Sequence, residues 1–153
     1  MQPRLDYWKA APTLMKAVRA LNAAVDESGL DKGLMHLVKL RASQINGCSY
    51  CVYMHSREAR ADGESEERVY LVSAWRESPL FSDAERAALA WTEKVTRLSE
   101  GPVDDAAYAE VMRHFSEQDV VNLTVLIGMI NVWNRLCVPF HAIHPVAAAS
   151  VAA

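Results

Sequence analysis

The chain has 153 residues, 51% hydrophobic and 23% charged, with a net charge of -3; this is the composition of one soluble globular domain with a proper core. Lys and Arg are scattered rather than clustered, which leaves no electrostatic footprint for a nucleic-acid partner. The apolar run 120–133 is interrupted by Asn122, Thr124 and Asn131 and is shorter than the roughly 18–20 residues of a membrane span, and the first residues lack the apolar run of a signal peptide, so no membrane partner and a reducing cytoplasmic location are expected.

Helical periodicity runs throughout, and no period-2 segment, repeat or linker interrupts it. Pro12 suits a first helical turn, and Leu14, Ala17, Val18, Leu21 and Val25 follow at helical spacing until Gly29. A second helix is predicted over 31–45, amphipathic through Leu34, Leu37, Val38, Leu40, Arg41 and Ile45, and ended by Asn46-Gly47. A third runs from Cys48 or Ser49 to Ala61 and stops at Asp62-Gly63. A fourth covers 65–78, carrying Val69, Leu71, Val72 and Trp75. Ser82-Asp83-Ala84-Glu85 reads as a capping box for a fifth, broken by Gly101-Pro102. A short helix over 104–114 follows. Ser116 then caps a long last helix ending at Pro139, apolar nearly all round and therefore assigned to the centre of the bundle. The expected fold class is all-α: a single-domain bundle of six to seven helices over 1–145, with a low-complexity tail at 146–153 that frays unless a neighbouring subunit pins it.

The chemistry concentrates in Asn46-Gly47-Cys48-Ser49-Tyr50-Cys51-Val52-Tyr53-Met54-His55. A Cys-x-x-Cys pair serves either as a dithiol that cycles to a disulfide or as half of a metal site. At a helix start, unpaired N–H groups and the positive dipole end favour a thiolate. His55 lies one turn beyond Cys51 and two beyond Cys48, so the three side chains share a face. An imidazole there can take or return a thiol proton. A thiolate oxidised to a sulfenic acid condenses with a nearby thiol to a disulfide. Nucleophile, resolving thiol and base are thus all present. The rival reading is a Cys2His2 zinc site from His36, Cys48, Cys51 and His55, which implies a zinc-stabilised or redox-sensing protein without catalysis. Cys137 reads as a buried residue of the last helix, His141 and His144 as surface or interface residues, and Trp75, Trp91 and Trp133 as core or subunit contacts. Tyr50 and Tyr53 flank the dithiol as candidate walls of its pocket.

The stretch from Leu37-Val38-Lys39-Leu40-Arg41-Ala42-Ser43-Gln44-Ile45 through Asn46-Gly47-Cys48-Ser49-Tyr50-Cys51 to His55 resembles the signature of the carboxymuconolactone decarboxylase superfamily, in its alkylhydroperoxidase D-like, peroxidase-related branch. Ser78-Pro79-Leu80-Phe81-Ser82 with Glu85-Arg86-Ala87-Ala88-Leu89-Ala90-Trp91-Thr92, and Ile130-Asn131-Val132-Trp133-Asn134-Arg135-Leu136, resemble the same branch. The resemblance implies an all-helical fold, homotrimers or homohexamers, and reduction of a hydroperoxide through the Cys-x-x-Cys pair. By that similarity Cys51 becomes the sulfenic acid, Cys48 donates a proton and resolves, and His55 belongs to the proton relay. The family relay carries a glutamate twelve residues before the first cysteine, where this chain has His36, so a modified relay is expected. No heme, flavin or nucleotide motif appears, so no cofactor is expected and electrons come from a thiol or protein reductant. A decarboxylase is the weaker alternative, because lactone ring-opening has no use for a dithiol.

Overall fold

The computed structural model describes residues 2–145; the tail at 146–153, and with it the expectation that it frays, lies outside the described residues. The order is α1 (Tyr7–Ala10), α2 (Pro12–Asp26), α3 (Lys32–Ile45), α4 (Ser49–Ala61), α5 (Glu66–Leu71) continuing as a 3-10 turn (Val72–Glu77), α6 (Asp83–Thr96), a 3-10 turn (Leu98–Glu100), α7 (Asp105–His114) and α8 (Glu117–Cys137). No strand forms among the described residues, as the absence of period-2 segments predicts.

Short polar side chains start these helices. Asp31 accepts from the Leu34 N–H at 2.8 Å, Asp104 from Ala107 at 2.8 Å and Ser116 from Asp119 at 3.2 Å. The capping box read from the sequence is formed in both directions: Glu85 N–H donates to Ser82 Oγ at 3.3 Å, and Ser82 N–H to Glu85 Oε2 at 2.8 Å.

Three features differ from the sequence expectation. The one-turn helix α1 is additional, capped by Asp6, which accepts from the Trp8 and Lys9 N–H groups. The fourth predicted helix is not continuous; it tightens to a 3-10 turn at Val72, with Ala74 out of helical geometry at φ -117°. The turn buries Val72 and Trp75, and Trp75 Nε1 donates to Glu93 Oε1 at 3.0 Å. Finally, α3 is buried nearly all round rather than amphipathic. Met35 and Val38 join one apolar cluster with Trp91, Leu123 and Ile127, while Leu37 and Leu40 join a second with Val72, Trp75 and Leu89.

Helix α4 folds back along α3, because His36 near the start of α3 meets Asp62 just past the end of α4. Helix α8 packs against α2, α3 and α6 and buries Leu123, Leu126, Ile127 and Ile130 in the core, as its composition predicts. It is 21 residues long, and apolar enough over that length to meet the criterion for a membrane span, but half of the apolar window is buried inside this protein. The burial is not complete: Val121, Val125 and Val132 form an exposed apolar edge at helical spacing.

One ion-pair network locks α3, α6 and the 3-10 turn together. Glu93 receives Arg41 and Arg76, each at 2.7 Å, besides the Trp75 indole. Burial works against the Glu93 charge, but the hydrogen bonds from Trp75, Arg76 and Arg41 outweigh it and hold the carboxyl below the ordinary value of 4.5. Glu93→Ala leaves the Arg41 guanidinium buried without its partner and is expected to cost about 3–5 kcal/mol in urea unfolding. Because the native value is depressed, this contribution is present above the unfolded-state value and is lost as pH falls through the native one. The parent should therefore lose stability on acidification more steeply than Glu93→Gln, and parallel curves would remove Glu93 from the network's pH dependence.

Candidate active site

The site begins at the reversal between α3 and α4. Gly47 takes the left-handed conformation, φ +65°, and two crossed bonds close the helix end: Cys48 N–H to Ser43 O at 3.0 Å and Gly47 N–H to Gln44 O at 3.2 Å. A residue with a Cβ is strained in that conformation, which is why Asn-Gly ends α3. The turn is then fastened to α8. Asn46 Nδ2 donates to Asn134 Oδ1 at 2.8 Å and Asn131 Oδ1 at 3.0 Å, and buried Asn134 donates to Ser43 Oγ at 3.1 Å. The Asn131 to Asn134 block, an interruption in the apolar run, is thus the clamp on the turn.

The clamp leaves Cys48 as the N-cap of α4, its sulfur accepting the Cys51 N–H at 3.2 Å. Cys48 and Cys51 are joined by a disulfide, with Cα atoms 5.3 Å apart, within the usual range. Both are buried, and Cys51 borders a cleft of about 930 Å³ that Cys48 does not line.

His55 and His36 both line this cleft and both are buried. Each has a carboxylate of its own. His55 Nδ1 bonds Glu58 Oε2 at 2.8 Å, and His36 Nε2 bonds Asp62 Oδ2 at 2.7 Å, with Lys32 also on Asp62 at 2.9 Å. The hydrogen bond from His55 holds the Glu58 carboxyl below its ordinary value, and Lys32, then His36, do the same for Asp62. An ionised carboxylate only accepts, so the proton sits on His55 Nδ1 and His36 Nε2. That leaves His55 Nε2 and His36 Nδ1, which have no hydrogen-bond partner among the described residues, as the nitrogens able to take a proton.

Where the resemblance places a glutamate twelve residues before the first cysteine, this chain has His36, and the fold sets a carboxylate beside each histidine. For His55 it is Glu58, one turn further on the same face of α4. Its i, i+3 spacing was a readable signal, whereas the Asp62 pairing crosses 26 positions and was not.

Other residues add to the site. Cys137 is a buried residue of the last helix, as its sequence reading has it, and its sulfur is grouped with those of Cys48 and Cys51, all within 4.8 Å of one another. Tyr7, from the unpredicted α1, lies with its hydroxyl 3.8 Å from Cys137 Sγ. Burial pushes both the Tyr7 hydroxyl and the Cys137 thiol up, the latter against the Tyr7 hydrogen bond. Trp133, read as a core or subunit contact, packs against the core and also lines the cleft beside Trp8 with ring centroids 5.8 Å apart, and donates to Asn22 at 3.0 Å. Tyr50 is a cleft wall as proposed from its position, while Tyr53 stacks on His144 at 4.5 Å.

The proposed zinc set of His36, Cys48, Cys51 and His55 is not the one the fold gathers. Among the described residues the metal-capable group is Cys48, Cys51 and Cys137. With two of its sulfurs joined in a disulfide, it does not offer the thiolates that zinc requires.

Comparison with known proteins places the fold. YdfG, an uncharacterised protein of Bacillus subtilis strain 168, is 36% identical over 138 residues, covering 90% of this chain and 94% of its own. YnjA, an uncharacterised protein of Escherichia coli K12, is 37% identical over 133 residues, covering 86% and 72%. A crystal structure from Agrobacterium tumefaciens, of a protein of unknown function proposed to be the antioxidant defence protein AhpD, superposes with a TM-score of 0.92 at 48% identity, over 95% of this chain and 99% of that one. Residues 12–94, which carry α2, the clamped turn, the dithiol and nearly all of α6, match the sequence model of the carboxymuconolactone decarboxylase family, and the chain belongs to that family, in its alkylhydroperoxidase D-like branch.

Proposed function

We propose that the protein is a thiol-dependent peroxidase that reduces hydroperoxides through Cys48 and Cys51. The observation that carries this reading is a disulfide at the start of α4 whose second sulfur borders a cleft holding two buried histidine–carboxylate pairs. In the reduced protein, Cys51 at the third position of α4 lies in the field of the helix N-terminus, which favours its thiolate. His55 Nε2 takes the Cys51 proton, with Glu58 orienting the ring and balancing its charge. The thiolate attacks the peroxide oxygen, the O–O bond breaks, and the alkoxide leaves with a proton as the alcohol. Cys48 then attacks the Cys51 sulfenic acid and releases water, giving the disulfide. An external thiol or protein dithiol returns the two electrons by exchange. The cleft is bordered by Trp8, Tyr50 and Trp133, and its volume suits an organic hydroperoxide with an apolar body.

The reduced parent should lose two thiols on a stoichiometric dose of cumene hydroperoxide and regain them with dithiothreitol. Bound zinc with no such loss would sink the reading in favour of a zinc-stabilised protein. Cys51→Ser should abolish peroxide consumption, and Cys48→Ser should still lose the Cys51 thiol; a block of the first oxidation in Cys48→Ser reverses the two roles.

His55→Ala is expected to slow Cys51 oxidation by about 100-fold or more in stopped flow, and Glu58→Gln by a smaller factor. A parental rate in both would take the relay out of the mechanism. For His36, the pH–rate profile of His36→Glu is compared with the parent; an unchanged rate and profile would show that His36 takes no part.

Self-association as a trimer or hexamer belongs to the same reading, supported by the exposed Val121, Val125 and Val132 edge of α8. Light scattering should give an oligomer for the parent and a smaller species for Val121→Glu with Val125→Glu; a monomeric parent would remove this part.

A further inference from the structure

Cys137 terminates α8, and nothing in the reaction just described uses it. Its surroundings are not those of an ordinary core cysteine. Its sulfur lies within 4.8 Å of both sulfurs of the Cys48–Cys51 pair, and it shares the cleft wall with Cys51. The three cysteines form a buried cluster of their own, packed with Tyr50 and Ala142. The phenol of Tyr7 meets the Cys137 sulfur at 3.8 Å.

We propose that Cys137 is a third redox thiol, an alternative resolving partner that closes a Cys51–Cys137 disulfide between α4 and α8. This rests on the reading of Cys51 as the thiol that peroxide oxidises. In the sulfenic acid, the sulfur of Cys51 is the electrophile. The Cys137 sulfur attacks it, the S–O bond breaks, and the departing hydroxide takes the Cys137 proton to leave as water. One S–S bond replaces one S–O bond and one S–H bond, and the two oxidising equivalents of the peroxide are stored in the bridge. The same contact allows exchange without any oxidant. Cys137 attacks Cys51 in the Cys48–Cys51 disulfide and displaces Cys48, which takes up the proton Cys137 gives up, so that one disulfide replaces another.

Sulfurs within 4.8 Å must approach to about 2.05 Å to bond. Cys137 is well placed for that movement. It is the last residue of α8, and the chain reverses directly after it, with Ala142 N–H returning to Cys137 O at 2.9 Å and His141 at φ +54°. Burial keeps Cys137 as a thiol, so Cys51 at the helix N-terminus is oxidised first and Cys137 acts second. The consequence is protective. A Cys51 sulfenic acid that Cys48 fails to capture has a second thiol within reach before another peroxide carries it to the irreversible sulfinic acid.

The test uses Cys48→Ser, in which Cys51 and Cys137 are the remaining thiols. Equimolar cumene hydroperoxide should consume both thiols, lower the intact mass by two hydrogens, and give a Cys51–Cys137 cross-linked peptide, with no dimedone adduct at Cys51. Adding Cys137→Ser should restore the dimedone adduct, and Cys137→Ala serves as a second replacement if the serine variant loses the parental circular dichroism spectrum. A persistent dimedone adduct in Cys48→Ser, with Cys137 still free to alkylate, overturns the proposal while leaving the peroxidase reading standing. Diamide, which oxidises paired thiols without peroxide, separates the two ideas. A Cys51–Cys137 bridge formed by diamide in a protein whose thiols ignore peroxide supports the third thiol and removes the peroxidase; failure to bridge with diamide overturns the third thiol outright.

Discussion

The reversal at Asn46-Gly47 is the constraint on which the rest of the site depends. Three asparagines and a serine tie the turn to α8 through partly buried and buried bonds, and at buried Asn134 an unpaired amide would cost more than a pair contributes in water. The clamp sets where α4 begins, and the start of α4 sets the position of the dithiol. A slip of one residue would move Cys48 from the N-cap into the helix and rotate His55 off the cleft face. The asparagines in the apolar last helix are therefore bound to the chemistry at the start of α4, and α8 is both the core of the bundle and the brace of the site.

The second organising feature is the way charge is divided in the cleft. Two histidines line one pocket, and if both were protonated without compensation they would repel. Each instead has an ionised carboxylate, Glu58 for His55 and Asp62 for His36, and Lys32 shares the latter. The rings are thereby fixed in tautomer as well as in position. This changes what the substitution at position 36 means. A carboxylate for His55 comes from within α4, and His36 is the centre of a second, separate pair. Away from the cleft, buried Glu93 uses the same device at larger scale, with two arginines and an indole joining three segments that apolar packing alone would leave free to slide.

Much of this was legible in the chain. Caps, glycine stops and 3.6-residue periodicity are local, so the helices from Pro12 onward could be read with most of their starting points, and the capping box at Ser82 formed as written. The dithiol with His55 in register was legible for the same reason, as was Glu58 in principle, one turn further on. The misreadings share a cause. The break at Val72, the burial of α3 on both sides and the helix at Tyr7 are all set by distant contacts: Trp75 with Glu93, two separate cores either side of α3, and the N-terminal segment bonded to Pro139 and Phe140.

The sequence by itself determined an all-helical chain with a redox-capable pair of cysteines at a helix start, because helix signals and the Cys-x-x-Cys-x3-His spacing act within a few residues. Only the tertiary structure decided which partners that pair has. Asp62, Cys137, Tyr7 and Trp133 come to the site from distant parts of the chain, Tyr7 and Cys137 meeting across 130 positions, and no periodicity encodes such a meeting. It follows from the packing of α4 on α3 and of both on α8, which brings a third sulfur to the first two and Asp62 to His36.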